Sequence, residues 1–378
     1  MEYFRNNPDV LHIRNYVDYS HNIPNLRVLR GATGKKGHPS VQHSEPRTTT
    51  RRHGLVLAGL AVVLLAGFLI SLTLGRFPIS LSQIAALLTG GQGMTPQVEA
   101  IFFNVRMPRI IMACLVGCCL SAAGASYQGV FQNPMAAPDI LGASSGAATG
   151  ACLAMLLQLD ASMIMALAFA VSLGTISLVM VVSRAARGNR LLGLILSGIM
   201  ISSLATAVTS FIKLVADPTQ ILPEITYWLM GSLAKAQLRD IVLVSAPMGA
   251  GLLLLFLLRW RINLLTLSDD EAKSMGVNVG AVRWAVIVAS TLVTAASVSV
   301  SGLIGWVGLV IPHLMRRLVG KSFRVLLPAS MLGGAIFLLA VDDVSRNLLL
   351  TEIPIGILTA VVGAPFFLWL ITRRTEVV

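Results

Sequence analysis

The 378-residue chain has little charge: Asp, Glu, Lys and Arg together make up 12% of it, against 55% hydrophobic residues. Soluble domains average about 25% charged. With a mean hydropathy of +0.77, so few charges cannot cover the surface of a soluble protein of this length, and a soluble globular fold is excluded. Cysteine is scarce as well. Cys114, Cys118, Cys119 and Cys152 lie in apolar stretches among small residues and form no CxxC pair. They read as small buried hydrophobes and indicate neither a metal site nor a disulfide framework. Acidic residues number 17 against 29 Lys and Arg, a net charge of +12. In a soluble protein that excess would suggest nucleic acid. No RNP, zinc-finger or basic-helix pattern accompanies it, and the cytoplasmic bias of Lys and Arg in membrane proteins accounts for it. No nucleic-acid partner is expected. HExxH, GxSxG and a plausible Ser/His/Asp set are all missing, so no catalytic residue, metal or cofactor is predicted.

What the chain has instead is long apolar runs. Residues 55–74 carry no charge at all, and about 20 such residues suffice to cross a bilayer as a helix. The runs are continuous and do not alternate every second residue, which excludes a transmembrane β-barrel. Ten spans are predicted, near 55–75, 107–126, 141–158, 162–183, 191–213, 238–258, 280–300, 306–319, 325–347 and 354–372, the eighth of them short. The predicted fold class is therefore all-α, a polytopic transmembrane helical bundle over residues 54–378. Residues 1–53 differ. They hold five of the six histidines and no apolar run, so no signal peptide is expected, and they read as a disordered cytoplasmic tail. Placing the N-terminus inside puts fifteen flanking cations in the cytoplasm and seven outside, as the positive-inside bias requires. Both termini are then cytoplasmic. Gly142, Gly146 and Gly150 fall on one helical face, a pattern that brings helix backbones together in lipid.

A transporter can be driven by its own ATP site, by an ion gradient or by a separate motor. Gly320-Lys321-Ser322 imitates the end of a P-loop, but Met315 stands where the first glycine belongs, so the phosphate cradle cannot form. Asp342 and Asp343 lie within span nine. Charged residues at such depth serve proton relays in ion-coupled carriers, while the spacing of Asp343 and Arg346 equally fits a packing pair on one helix face, which is the favoured reading. His313 reads as a hydrogen-bonded packing residue. The loop 259–284 has more order than a solvated connection needs. Ser268 is a good N-cap with Glu271 at the capping-box position, Asp269 and Asp270 suit a helix N-terminus, and Gly276 suits a C-terminal stop. A short cytoplasmic helix over residues 268–276 is predicted, shaped to enter a groove on a partner.

These features coincide with a set of separated motifs: Arg106-Met-Pro-Arg109, Gln132-Asn-Pro-Met-Ala-Ala-Pro-Asp-Ile-Leu-Gly142, Tyr227-Trp-Leu-Met-Gly-Ser232, Glu271-Ala-Lys-Ser-Met-Gly276, Gly305-Trp-Val-Gly-Leu-Val-Ile-Pro-His313, Arg324-Val-Leu-Leu-Pro328 and Ile353-Pro-Ile-Gly356 leading to Gly363-Ala-Pro365. In this order the chain, over about residues 55–375, resembles the FecCD-type permease subunits of ABC importers for iron–siderophore, haem and vitamin B12. The resemblance implies the type II ABC-importer permease architecture, with ten helices per subunit and two permease subunits, identical or homologous, around a central path in the bacterial inner membrane. It implies two copies of an ABC ATPase docked on the cytoplasmic helix through Ser268, Asp269, Asp270, Glu271, Ala272 and Gly276. It further implies a periplasmic or lipid-anchored binding protein docked outside on Arg106, Arg109 and Arg346, and a metal chelate as cargo, an iron–siderophore in particular. The 53-residue tail departs from the family pattern, in which the first span lies close to the N-terminus.

Overall fold

The structure is a computed structural model. It describes residues 47–75, 77, 79–89, 96–185, 190–267 and 269–372. The predicted tail therefore lies outside the described residues except for its last part, from which the first helix already runs. Fourteen α-helices occur and no strand is present among the described residues: α1 Arg47–Thr73, α2 Leu81–Thr89, α3 Pro96–Ile101, α4 Met107–Val130, α5 Ala143–Leu156, α6 Ala161–Ala185, α7 Arg190–Val215, α8 Ile221–Leu229, α9 Leu238–Leu264, α10 Asp269–Ser274, α11 Val279–Ser301, α12 Val307–Val319, α13 Phe323–Asn347 and α14 Ile355–Thr372. The ten predicted spans correspond to α1, α4, α5, α6, α7, α9, α11, α12, α13 and α14. Among the described residues seven helical stretches are long and apolar enough to cross a membrane, while α5 and α14 are shorter. At thirteen residues α12 is shorter still.

The centre of the bundle is α4, flanked by α11, α12 and α13. Its inward positions are mostly Ala, Gly, Ser and Cys, and nineteen of its 24 residues are buried. In lipid the association of helices rests on close packing, not on expulsion of water, and this composition supplies it. A Cβ on Gly117 would stand 2.8 Å from Cβ of Leu338, and one on Gly334 2.9 Å from the carbonyl carbon of Gly117, so α4 and α13 meet backbone to backbone. Gly124 meets Gly308 of α12 in the same way. The outer shell has the opposite pattern. Leu192, Ile199, Leu204 and Phe211 of α7 and Leu253 and Leu257 of α9 are exposed, as side chains are where lipid or another subunit covers them.

Four short helices, α2, α3, α8 and α10, stand outside the ten spans. The helices α2 and α3 precede α4, and α8 links α7 to α9. A turn before α8 is built on Asp217, whose Oδ2 accepts from Thr219 Oγ1 at 2.7 Å and from the Gln220 amide at 2.7 Å. The Thr219 hydroxyl, then the Gln220 amide, hold that carboxyl below its usual pKa.

Two connections between successive spans are irregular and partly buried. The chain leaves α4 at Val130 and travels through a bend and a 3₁₀ turn, Pro138–Leu141, before α5 starts at Ala143. It leaves α11 at Ser301 and runs without helix over residues 302–306 before α12 starts. Irregular backbone at membrane depth is tolerated only where protein or water meets its polar groups. Here the Asn133 amide donates to the Gln128 carbonyl at 3.2 Å, and the Val307 amide to the Gly305 carbonyl at 2.9 Å. Trp306 adopts a positive φ of 70° as the residue that caps α12.

Candidate functional site

Candidate functional residues gather at both ends of the bundle, named outer and inner after the topology expected from the sequence. At the outer end, a π-helical turn, Phe102–Arg106, leads into α4. Wide turns of this kind reset which face a side chain occupies, and here Arg106 and Arg109, three apart, both point inward. Arg109 Nε lies 2.9 Å from Asp342 Oδ1, and Arg109 Nη1 is 2.9 Å from each oxygen of Glu352. Arg346 Nε stands 3.5 Å from Asp342 Oδ2, and its Nη2 pairs closely with Asp343. The third guanidinium, of Arg106, donates to the Leu72 carbonyl at 2.6 Å and to the Phe77 carbonyl. Arg346 reaches the Leu74 carbonyl at 3.3 Å. Two arginines thus serve the unpaired carbonyls at the C-terminus of α1, where the helix dipole is negative.

The sequence suggested three outward cations open to a partner. The structure places Arg106, Arg109 and Arg346 at only 3%, 4% and 6% exposure. The physical reason is pairing: Asp342, Asp343 and Glu352 answer Arg109 and Arg346, while backbone carbonyls hold Arg106. Glu352, on the loop between α13 and α14, was not singled out from the sequence, because no spacing rule links it to Arg109, 243 positions away. Asp342 is wholly buried between two guanidiniums, the packing arrangement rather than an open relay.

At the inner end, α10 crosses between α9 and α11. Its last turn closes as predicted at Gly276, with φ of 78°. The Val277 amide donates to the Ala272 carbonyl at 3.2 Å and the Gly276 amide to the Lys273 carbonyl at 2.9 Å, the paired bonds of a Schellman stop. Ala272 is fully buried and pins the helix to the body, whereas Asp270, Glu271 and Lys273 are exposed. Lys273 pairs with Asp270 at 3.2 Å. Ser268 lies outside the described residues, as does the Asp269 side chain. Asn278, overlooked in the sequence, caps α11 by accepting from the Ala281 amide at 3.0 Å. Between α9, α10 and α11 opens a cavity of about 760 Å³, lined by Leu257, Trp260, Met275, Val277 and Val282 among others.

Hydrogen bonds tie this inner corner to the rest. Gln132, at the end of α4, donates from Nε2 to the Leu265 and Leu267 carbonyls at 2.8 and 3.0 Å. Asn263 of α9 accepts from the Phe323 amide at 3.1 Å. Arg316 donates to Gln128 Oε1 at 2.9 Å. The segment between α9 and α10 is thereby tied to the end of α4, α9 to the start of α13, and α12 to α4.

The three glycines read as a packing face divide between two neighbours. Gly142, with φ of 81°, abuts Ser202 of α7, while Gly146 and Gly150 lie against Thr175, Leu167 and Val171 of α6. No cluster of three or more His, Cys, Asp and Glu side chains able to hold a metal occurs among the described residues.

Comparison with known proteins agrees with this geometry. Residues 63–373 match the model of the FecCD transport family. The chain is 40% identical to the molybdate import system permease protein MolB of Haemophilus influenzae over 315 residues, 82% of this chain and 94% of that one. It is 39% identical to the hemin transport system permease protein HmuU of Yersinia pestis, over 73% of this chain and 84% of that one. It is 35% identical to the cobalamin import system permease protein BtuC of Halobacterium salinarum, over 84% and 95%. A solved metal-chelate type ABC transporter in an inward-facing conformation superposes with a TM-score of 0.78 at 38% identity, covering 85% of this chain and 99% of that one. The chain belongs to the FecCD transport family and is a multi-span helical permease subunit of an ABC importer.

Proposed function

We propose that the chain moves a bulky metal chelate, an iron–siderophore in particular, into a bacterial cytoplasm, driven by ATP hydrolysed on two copies of a separate ATPase. The single observation that carries this reading is α10. It is a short helix with a defined stop, held by one buried alanine, exposing its acidic face beside an apolar cavity. A gradient-driven carrier has no use for such a docking element. Met275, exposed at the rim of the cavity, suits an adaptable apolar contact.

In this reading a second permease subunit, of the same or a homologous sequence, completes the central path, and both termini are cytoplasmic. The inner ends support that orientation. Arg184 stacks on Trp284, Arg259 on Phe256, Arg317 on Trp369 and Arg324 on Trp260, each within 5.2 Å of the ring centroid. All four pairs sit at the α10 end of the bundle, where cations and aromatic rings together mark the cytoplasmic headgroup layer. A periplasmic or lipid-anchored binding protein docks at the opposite end. Arg106, Arg109 and Arg346 position that surface from within, and Glu352, with 28% of its side chain exposed, forms its rim.

The test is reconstitution. In proteoliposomes the permease with its ATPase and binding protein should accumulate a ferric siderophore only with ATP, and the permease alone should hydrolyse none. Uptake driven by a proton gradient without the ATPase would overturn the reading.

A further inference from the structure

One carboxylate stands beside a cavity within the bundle without an ion pair among the described residues. Asp139 lies in the 3₁₀ turn before α5, and its residue is exposed although its neighbours Pro138 and Leu141 are buried. Two independent contacts fix its depth. A Cβ on Gly308 would meet Pro138 Cγ at 2.7 Å and the Leu120 carbonyl at 2.7 Å, and Leu120 is near the middle of α4. On the other side, a Cβ on Gly198 would stand 3.2 Å from Leu141 Cα. Gly198 lies eight residues inside α7, about 12 Å from its inner end at 1.5 Å per residue. In a hydrocarbon core about 30 Å thick, the turn is therefore near mid-depth.

An ionisable side chain at that depth does not face lipid; it faces protein or a water-filled cavity. Among the described residues its side-chain hydrogen-bond partner is the Ser144 hydroxyl, five positions on in the first turn of α5. Salt bridges among the described residues do not include Asp139. What it does border is a cavity of about 230 Å³, lined by its neighbour Pro138 and by Ile304, Gly305, Trp306 and Leu309 from the passage between α11 and α12 and the first turn of α12. Both irregular connections thus meet at one point, and the charge stands at that point.

We infer that this face lines the translocation path at mid-depth, and that Asp139 is a specificity-determining residue which favours neutral or cationic chelates and disfavours free oxyanions. The inference rests on the reading of the chain as an importer permease and narrows its cargo class. In an assembly of two like subunits around the path the carboxylate occurs twice, and acidic rings in pores select against anions. MolB, named for molybdate, shares 40% identity with this chain, so overall likeness alone does not decide the sign of the cargo. Holding the Ser144 hydroxyl at the start of α5 is the competing role, and Asp139→Asn separates the two, since the amide oxygen still accepts from Ser144 while the charge is gone.

The experiment is thiol modification in membrane vesicles holding the full-length chain, with the four native cysteines replaced by Ala. Gly305→Cys fits without strain, because nothing lies within 4 Å of its Cβ. Its rate with a quaternary-ammonium methanethiosulfonate should exceed that with the sulfonate reagent by about tenfold or more, the effect of one nearby charge at intermediate dielectric. Adding Asp139→Asn should cut that ratio several-fold. A thiol in Asp139→Cys should react as well, and faster than one in Leu253→Cys on the exposed face of α9. An unreactive thiol at position 139 or 305 overturns the placement in the path. A ratio unchanged by Asp139→Asn overturns the selection. Labelling requires neither ATPase nor cargo, so its outcome is independent of whether ATP-driven uptake is found.

Discussion

The two ends of the bundle treat the same side chain in opposite ways. At the outer end Arg106, Arg109 and Arg346 are buried and bound to carboxylates or helix-terminal carbonyls. At the inner end Arg184, Arg259, Arg317 and Arg324 lie over aromatic rings near the surface. Charge counting identifies which end holds more cations, but not which cations are free. A guanidinium withdrawn from water needs its charge and its donors answered together, so acids collect around it. One at the headgroup layer keeps its hydration and needs only a flat surface. The outer arginines therefore belong to the architecture, and the inner ones to the boundary with the membrane.

The comparison is broken most severely at Asp342. Breaking a buried ion pair by removing one partner costs about 3–5 kcal/mol, and Asp342 serves two arginines. Asp342→Ala should give little folded protein in detergent, with the apparent melting temperature of whatever remains sharply lowered. Full recovery with an unchanged melting temperature would show that the outer cluster does not hold α4 and α13 together. Asp342→Asn, which keeps one acceptor, should fall between.

Glu352→Gln is the sharper tool, because it separates architecture from docking. Glu352 is only partly covered, and Arg109 keeps Asp342 when Glu352 loses its charge. A charged hydrogen bond contributes about 1.5–3 kcal/mol, so this loss should be smaller than that of Asp342. The permease should still assemble with its ATPase, while affinity for the binding protein, measured by pull-down or interferometry, should change. Unaltered affinity would move the docking surface away from the α13–α14 loop.

How much of this was legible differs by level. All ten spans were visible as apolar runs, and the structure has helices at those places, because membrane thickness imposes a length on the sequence itself. The stop at Gly276 was also legible, since a Schellman turn is written in consecutive residues. The Arg109–Glu352 and Gln132–Leu265 contacts were not, for they join distant parts of the chain. Gly117 and Gly124 were missed for a related reason. Their spacing of seven looks like ordinary helix content until Gly334 and Gly308 are found against them. Asp139 was read only as part of a family motif; its depth comes from the neighbours of Pro138 and Leu141, which no local pattern records.

At the inner end the expected effects are smaller. Gly276 has φ of 78°, with nothing within 4 Å of a built Cβ, so Gly276→Ala meets backbone strain and no clash. The left-handed conformation costs an L-residue about 1–2 kcal/mol, and here the cost falls on α10 alone. Insertion and melting should be nearly unchanged, while transport per ATP hydrolysed should drop. Equal coupling ratios for wild type and variant would place the motor contact elsewhere.

The least effect is expected at Arg184. Its guanidinium carbon sits 4.7 Å from the Trp284 ring centroid, and an exposed cation–π pair contributes about 0.5–1 kcal/mol. Arg184→Gln removes the charge and keeps much of the stem. Because α6 and α11 already pack along their lengths, the loss of this pair should not unfold either helix. It should instead loosen the hold of the inner end on the headgroup layer, and most visibly where the lipid is anionic, since a basic residue near such a surface adds about 1 kcal/mol of attraction. Melting in nanodiscs of neutral lipid should therefore hardly separate wild type from variant, while in nanodiscs rich in phosphatidylglycerol the wild type should gain a small advantage that high salt removes. Charge at the outer cluster responds differently: its pairs are buried and screened little by salt. If added salt lowered the stability of the Arg184→Gln variant as much as that of the wild type, the inner arginine would be part of the packed architecture, and the contrast between the two ends would fail at that position.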